Sequence, residues 1–229
     1  MKYAIANWKM NMSLADLKKW YSAFTKFDFS NTPDDLSIIL APSSLHVSIA
    51  TEIFKNSIPN LNILIASQDV SEFELGAHTG YTGAFQLKDF CKYSIIGHSE
   101  RKEPTEKVLL KRDLCLQNNI VPIICFAKPE DAIKMYIPKG IMVWEDPSNI
   151  SVDGKYRAKD PTEIAQVIAK ISETLPSGTE IVYGGSVNRQ NVQSLVNIDK
   201  LNGVLVGNAS LDPNHFFDIV QAFSKLQQQ

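Results

Sequence analysis

Eight short apolar segments recur along the chain, and each one is followed by a small or polar elbow. Apolar runs bounded in this way predict buried strands, and the longer stretches between them mostly have helical spacing. A parallel barrel closes with eight strands that alternate with helices, which is the number predicted here. The predicted strands cover residues 3–6, 36–40, 61–66, 94–97, 120–126, 140–144, 180–183 and 203–206.

Two helix starts carry specific sequence signals. Ser13, with Asp16 three residues later, is typical of a capping box, and the apolar residues that follow have helical spacing. The run Asp160-Pro161-Thr162-Glu163 supplies an N-cap, a proline at the first helical position and an acid in the first turn. Further helices are predicted over 45–55, 106–118, 189–196 and from Asp212 onward, and 129–136 has room for only a very short one.

These patterns predict an α/β protein, a (β/α)8 barrel with a closed sheet of eight parallel strands. The length of 229 residues and the 44% hydrophobic content suit a single domain over residues 1–229. A doubly wound open sheet is the alternative fold. Such a sheet normally carries a Gly-x-Gly-x-x-Gly turn after its first strand, whereas this chain has Asn7-Trp8-Lys9 there.

Composition argues against several function classes. There are 23 Lys and Arg against 25 Asp and Glu, a net charge of −2, and we expect neither nucleic acid nor a membrane as partner. Three cysteines without CxxC or Cys/His spacing indicate free thiols and no metal, and no cofactor motif is present. The start of the chain does not resemble a signal peptide, and no run of eighteen apolar residues occurs. We therefore expect a cytoplasmic protein.

Polar side chains follow many of the predicted strands. In a (β/α)8 barrel the carboxyl ends of the strands meet on one face, so these residues become neighbours although they are far apart in sequence. A lysine, a histidine and a carboxylate near paired glycines favour proton transfer on a small phosphorylated carbonyl compound, because glycine lets backbone N–H groups approach a phosphate. The residues are Asn7, Lys9, Gln68, His98, Glu100, Glu145 and Ser186, with Gly184-Gly185 and Gly207 in the last two turns.

Five motifs between Tyr3 and Ser210 resemble those of the triosephosphate isomerase family, and they occur in the same order. They comprise a first-strand motif, a Gly-rich dimer loop, a histidine motif and two phosphate turns. In this chain they read Ala6-Asn7-Trp8-Lys9-Met10-Asn11, Gly76-Ala77-His78-Thr79-Gly80, Ile96-Gly97-His98-Ser99-Glu100-Arg101, Tyr183-Gly184-Gly185-Ser186-Val187 and Leu205-Val206-Gly207-Asn208-Ala209-Ser210.

The resemblance implies a TIM barrel that interconverts dihydroxyacetone phosphate and D-glyceraldehyde 3-phosphate through an enediolate. Triosephosphate isomerases are a known case of a carboxylate base working with a neutral histidine. On this basis Glu145 is the base, His98 polarises the carbonyl, Lys9 supplies positive charge and Asn7 a hydrogen bond. The resemblance also gives Glu100, Ser99 and Cys125 as supporting residues, Ser151, Ser186, Gly184, Gly185, Gly207 and Asn208 as phosphate ligands, and Thr79, Tyr81 and Arg101 as contacts of a homodimer or tetramer.

The chain departs from the family pattern at four places. The family has proline and then a Trp-Ala-Ile-Gly-Thr-Gly lid after its base, whereas here Glu145 is followed by Asp146-Pro147-Ser148. Tyr81 replaces a glutamate that pairs with an arginine across the dimer, and Asn208 replaces a second glycine. The interval from Cys125 to Glu145 is only 20 positions (145 − 125), as in short archaeal-type members, which are often tetramers.

Three functions stay open at this point: an active isomerase, a different phosphosugar enzyme on the same barrel, and a non-catalytic phosphate-binding or assembly protein. Asp146 places a second carboxylate beside the base. We expect its side chain to turn outward, because successive side chains alternate at the end of a strand. Its expected partners are Lys155 or Arg157.

Overall fold

A computed structural model describes residues 1–55, 58, 61, 63–146, 149 and 159–224. Eight parallel strands form a closed barrel in sequence order, and the last strand pairs with the first. The predicted fold class is therefore confirmed, and every predicted strand overlaps an observed one. The strands are β1 (Lys2–Asn7), β2 (Leu36–Ala41), β3 (Ile63–Ser67), β4 (Tyr93–Ile96), β5 (Val121–Phe126), β6 (Ile141–Trp144), β7 (Glu180–Tyr183) and β8 (Gly203–Val206).

Eight α-helices lie in the described part of the chain. The predicted capping box is present, because the hydroxyl of Ser13 accepts from the backbone N–H of Asp16 and the Asp16 carboxylate accepts from that of Ser13. The carboxylate of Asp160 accepts from the N–H of Thr162, as predicted for an N-cap. The helices are α1 (Leu14–Phe24), α2 (Val47–Phe54), α3 (Ala84–Leu87), α4 (Thr105–Gln117), α5 (Ala132–Met135), α6 (Pro161–Thr174), α7 (Val192–Val196) and α8 (Pro213–Ser224).

The core has two layers, one inside the barrel and one between the sheet and the helices. Strand residues alternate between them: Ile5 packs inside, whereas Ala4 and Ala6 face the helices. In the outer layer Trp20 stacks on Phe24, and its indole N–H donates to the carbonyl of Ser210. This contact fixes α1 to the turn after β8. Among the described helices, none is long and apolar enough to cross a membrane.

Candidate active site

The strongest candidates lie together at the carboxyl end of the barrel. Asn7 is the last residue of β1, His98 comes two residues after β4, and Glu145 directly follows β6. The side chains of His98 and Glu145 meet, with 3.0 Å between Nε2 and Oε1. A cleft beside them is lined by Asn7, Lys9 and Glu100 together with His98. The barrel thus assembles the predicted cluster from three separate parts of the sequence.

Glu145 is a buried carboxylate, with 1% of its surface exposed. Burial raises the pKa of this carboxyl above its ordinary value, because the charged form loses hydration. Its contact with His98 and a 2.9 Å hydrogen bond from the backbone N–H of Ser99 to Oε2 oppose that increase. The thiol of Cys125 is also buried, and burial, reinforced by the Glu145 carboxylate, raises the pKa of that thiol well above its ordinary value. Glu145 therefore has the properties of a base, and Cys125 stays a neutral neighbour.

The hydrogen bonds of His98 define a tautomer. The backbone N–H of Glu100 donates to Nδ1 at 3.3 Å, so Nδ1 acts as an acceptor. A histidine that accepts at one ring nitrogen carries its proton on the other, which assigns the N–H to Nε2. That N–H faces Glu145. His98 is thus arranged as a neutral hydrogen-bond donor toward the centre of the site.

Lys9 has a left-handed backbone, with φ of 51°. A non-glycine residue in this region requires support from its surroundings. The N–H of Lys9 donates to Oδ1 of Asn7, and the amide of Gln68 donates to the carbonyl of Lys9. These contacts direct the side chain across the site, where its ammonium lies 2.6 Å from Oε1 of Glu100. Asn7 therefore holds the backbone of Lys9, and Glu100 holds its ammonium.

Gly184 and Gly185 leave space that other side chains occupy. A Cβ atom on Gly184 would lie 2.9 Å from Cγ of Glu145 and 2.9 Å from Cγ1 of Val143. A Cβ atom on Gly185 would lie 2.1 Å from the hydroxyl oxygen of Tyr183. All three distances are shorter than a carbon atom tolerates. The paired glycines are therefore required where Glu145 and Tyr183 pack, whatever ligand the turn binds.

The turn after β8 lies beside Lys9, whereas the turn after β7 contacts Asn149. A Cβ atom on Gly207 would lie 3.3 Å from Cε of Lys9 and 3.6 Å from its Nζ. Asn208 begins a short 3₁₀ turn that ends at Ser210. Ser186 is buried, and its hydroxyl donates to the carbonyl of Asn149 at 2.5 Å. Ser151, the remaining predicted phosphate ligand, lies outside the described residues.

Asp146 pairs with a lysine that the sequence did not indicate. Oδ2 of Asp146 lies 2.6 Å from the ammonium of Lys159 and accepts from the Asn149 amide at 2.9 Å. The expected partners Lys155 and Arg157 both lie outside the described residues. Lys159 immediately precedes the N-cap of α6, so the pair joins the end of β6 to the start of the next helix.

The predicted contact residues line the outer part of the same cleft. Thr79 and Tyr81 are exposed on the Gly-rich loop, and Arg101, also exposed, lines the same cleft. Arg101 pairs within its own chain, with 2.8 Å to the carboxylate of Asp69. Asp69 also contacts the ammonium of Lys111, whose side chain has no exposed surface. The sequence does not indicate this network, because nothing in its spacing marks Lys111 as buried.

A buried carboxylate in contact with a histidine, at the carboxyl ends of the strands of a closed barrel, is typical of (β/α)8-barrel enzymes. The model of the family described as Triosephosphate isomerase matches residues 2–223. The chain is 31% identical over 237 residues to the triosephosphate isomerase of Wolbachia pipientis wMel, covering 96% of this chain and 93% of that protein. It is also 31% identical to that of Mesomycoplasma hyorhinis, over 94% and 96% of the two chains.

A more distant relative shows the same coverage. The triosephosphate isomerase of Dictyoglomus turgidum is 27% identical over 252 residues, covering 96% of this chain and 99% of that protein. The similarity thus extends over nearly the whole of both chains in each comparison. The chain belongs to the triosephosphate isomerase family, a family of isomerases.

Proposed function

We propose that this chain interconverts dihydroxyacetone phosphate and D-glyceraldehyde 3-phosphate by proton transfer through an enediolate. The observation that carries the proposal is the contact between buried Glu145 and the Nε2 of His98, whose other nitrogen accepts a backbone hydrogen bond. A base and a neutral donor in contact are the two groups that proton transfer next to a carbonyl requires. The family and the names of the relatives support the same reaction.

In the proposed mechanism Glu145 removes a proton from the carbon next to the carbonyl and returns it to the neighbouring carbon. A carboxyl with a raised pKa is suited to this role, because it releases and accepts protons nearer neutral pH. His98 donates its Nε2–H to the carbonyl oxygen and stabilises the negative charge that develops there. The proton of the neighbouring hydroxyl then passes to that oxygen by way of the His98 imidazole, so the carbonyl and the hydroxyl exchange places. In the proposal the substrate binds between His98 and Glu145 and replaces their contact, so Glu145 faces the reacting carbons and His98 faces the carbonyl oxygen.

The proposed phosphate site is formed by the turns after β7 and β8. Lys9 supplies the positive charge, because its side chain lies against Gly207. The backbone N–H groups of Ser186, Gly207 and Asn208 are the proposed ligands, since backbone amides at a turn bind phosphate well. Glu100 balances the charge of Lys9, because its carboxylate lies 2.6 Å from the ammonium.

We also propose that copies of this chain associate through the Gly-rich loop. Met10 lines the cleft and is 95% exposed, and Leu75, next to the Gly-rich loop in sequence, is 81% exposed. Burial of such apolar side chains against a second copy would favour association. Thr79 and Tyr81 are exposed on the Gly-rich loop and are the proposed contacts with the second copy.

A coupled assay tests the proposed reaction. The chain is expected to convert D-glyceraldehyde 3-phosphate to dihydroxyacetone phosphate and to leave ribose 5-phosphate unchanged. Conversion of the pentose phosphate but not the triose would favour a different phosphosugar enzyme. A folded protein that converts neither, but whose melting temperature rises in phosphate, would be a binding protein and not an isomerase.

A further inference from the structure

Asp146 and Lys159 form a contact that the proposed reaction does not itself require. The carboxylate of Asp146 is largely buried, with 14% of the side chain exposed. One of its oxygens, Oδ2, lies 2.6 Å from the ammonium of Lys159 and 2.9 Å from the amide nitrogen of Asn149. Two donors on one carboxylate oxygen fix the position of the Asp146 side chain. Because Asp146 directly follows Glu145 in the chain, this also restrains the backbone that carries Glu145.

Lys159 contacts the chain on both sides of Glu145. Its ammonium lies 5.6 Å from the centre of the Trp144 ring, a distance at which a cation is attracted to the face of an indole. The same ammonium is paired with Asp146. The residues immediately before and after Glu145 are therefore both held by one side chain from the start of α6.

Asn149 extends this connection to the turn after β7. Its backbone N–H donates to the carbonyl of Asp146 at 2.9 Å, and its side-chain amide donates to the Asp146 carboxylate. Its carbonyl accepts from the hydroxyl of Ser186 at 2.5 Å. The carbonyl of Ser186 in turn accepts from the side chain of Asn191. A continuous series of hydrogen bonds thus runs from Asp146 to the proposed phosphate turn.

The charge of Asp146 makes its partner important. Glu145 and a phosphorylated substrate are both negative, so another carboxylate next to them opposes binding. An ammonium at 2.6 Å compensates that charge at close range. Lys159 also lies 3.7 Å from Glu163, which is 63% exposed, so solvent screens this second contact.

We propose that Asp146 and Lys159 are a positioning pair: Asp146 links the turn that carries Glu145 to the phosphate turn through Asn149, and Lys159 compensates the Asp146 charge. Neither side chain is assigned a contact with substrate. The inference rests on the proposed function where it concerns turnover, and on the phosphate site alone where it concerns binding.

Three variants separate the charge from the hydrogen bond. K159A removes the compensating ammonium. D146N/K159A removes both charges but keeps an oxygen that accepts from Asn149. D146A/K159A removes both charges and that acceptor. The control is K170A, which removes an exposed lysine elsewhere on α6. For each variant we measure the Kd of inorganic phosphate by calorimetry, and kcat and KM with D-glyceraldehyde 3-phosphate.

We expect K159A to raise the phosphate Kd and KM at least threefold, and D146N/K159A to restore both to within 1.5-fold of wild type. We expect D146A/K159A to bind phosphate at least threefold more weakly than D146N/K159A and to have an at least fivefold lower kcat. If K159A behaves like K170A, the charge role is wrong; if the two double variants agree in Kd and kcat, the positioning role is wrong.

The binding arm distinguishes this inference from the proposed function. If the wild-type chain has no isomerase activity but the phosphate Kd values follow the expected order, the proposed reaction fails and the positioning pair stands. If the wild-type chain isomerises trioses but all variants match K170A, the reaction stands and the pair has no such role.

Discussion

Substitution of Gly184 by alanine tests whether the position of Glu145 limits the proposed reaction. The added Cβ would lie 2.9 Å from Cγ of Glu145 and 2.9 Å from Cγ1 of Val143. Carbon atoms that are not bonded to each other normally come no closer than about 3.5 Å, so the added Cβ and its neighbour must move apart by about 0.6 Å. Val143 is fully buried among the side chains inside the barrel. Glu145 is also buried, but its carboxylate contacts His98, which lines the cleft, so the Glu145 side chain moves more readily than Val143.

The expected effect is on turnover and not on binding. A displacement of 1 Å in a catalytic group costs about 10²-fold, so a displacement of about 0.6 Å costs on the order of 10-fold in kcat, or about 1.4 kcal/mol. We expect KM to stay within about twofold, because the turn keeps its backbone N–H groups. The assay is steady-state kinetics with D-glyceraldehyde 3-phosphate.

Ser177→Ala serves as the control for Gly184→Ala. Ser177 is exposed in a turn before β7, at the opposite end of that strand. It should leave both kcat and KM at wild-type values. A Gly184→Ala enzyme with kcat within twofold of wild type would refute the reasoning, since the base would then tolerate the displacement. A loss confined to KM would refute it equally, because the turn and not the base would have been disturbed.

Three further predictions follow from charges and surfaces. A base that must be ionised loses activity as the pH falls through its pKa. Because burial raises the pKa of Glu145 above 4.5, we expect the acid midpoint of the kcat/KM profile to lie above 4.5. A midpoint at or below 4.5 contradicts this. Lys111→Met should lower the free energy of unfolding in urea by about 3–5 kcal/mol, because it leaves the Asp69 and Glu103 carboxylates without a buried counter-charge; a loss below 1 kcal/mol contradicts this. Light scattering should find a dimer or tetramer that Thr79→Arg weakens, whereas a stable, fully active wild-type monomer would rule out the association surface.

Much of the fold follows from local sequence patterns. Strand β2 is apolar apart from Ser37, and its predicted range of 36–40 is close to its observed range of Leu36–Ala41. Helix α1 begins at the predicted cap because Ser13 and Asp16 satisfy each other locally. Helix α3 was not predicted. Its four residues are too few to show a helical period, and its start is held by Gln86 bonding back to the N–H of Gly83.

The site was predictable where it depends on strand ends. His98 and Glu145 could be placed together because each follows a strand and parallel strands end on one face. The pairing of Asp146 with Lys159 could not be predicted, because both lie in irregular segments where the direction of a side chain depends on the path of the backbone. The same reason applies to Arg101, whose carboxylate partner Asp69 follows a different strand.

The most direct test of the central claim is the turnover of Glu145→Gln with D-glyceraldehyde 3-phosphate, compared with wild type and with Glu173→Gln on the exposed face of α6. Glutamine keeps the size of the side chain but cannot accept the transferred proton. Loss of a positioned base typically costs about 10²-fold or more, so we expect kcat to fall at least that far in Glu145→Gln and to stay unchanged in Glu173→Gln. A Glu145→Gln enzyme with near wild-type kcat would show that Glu145 is not the base.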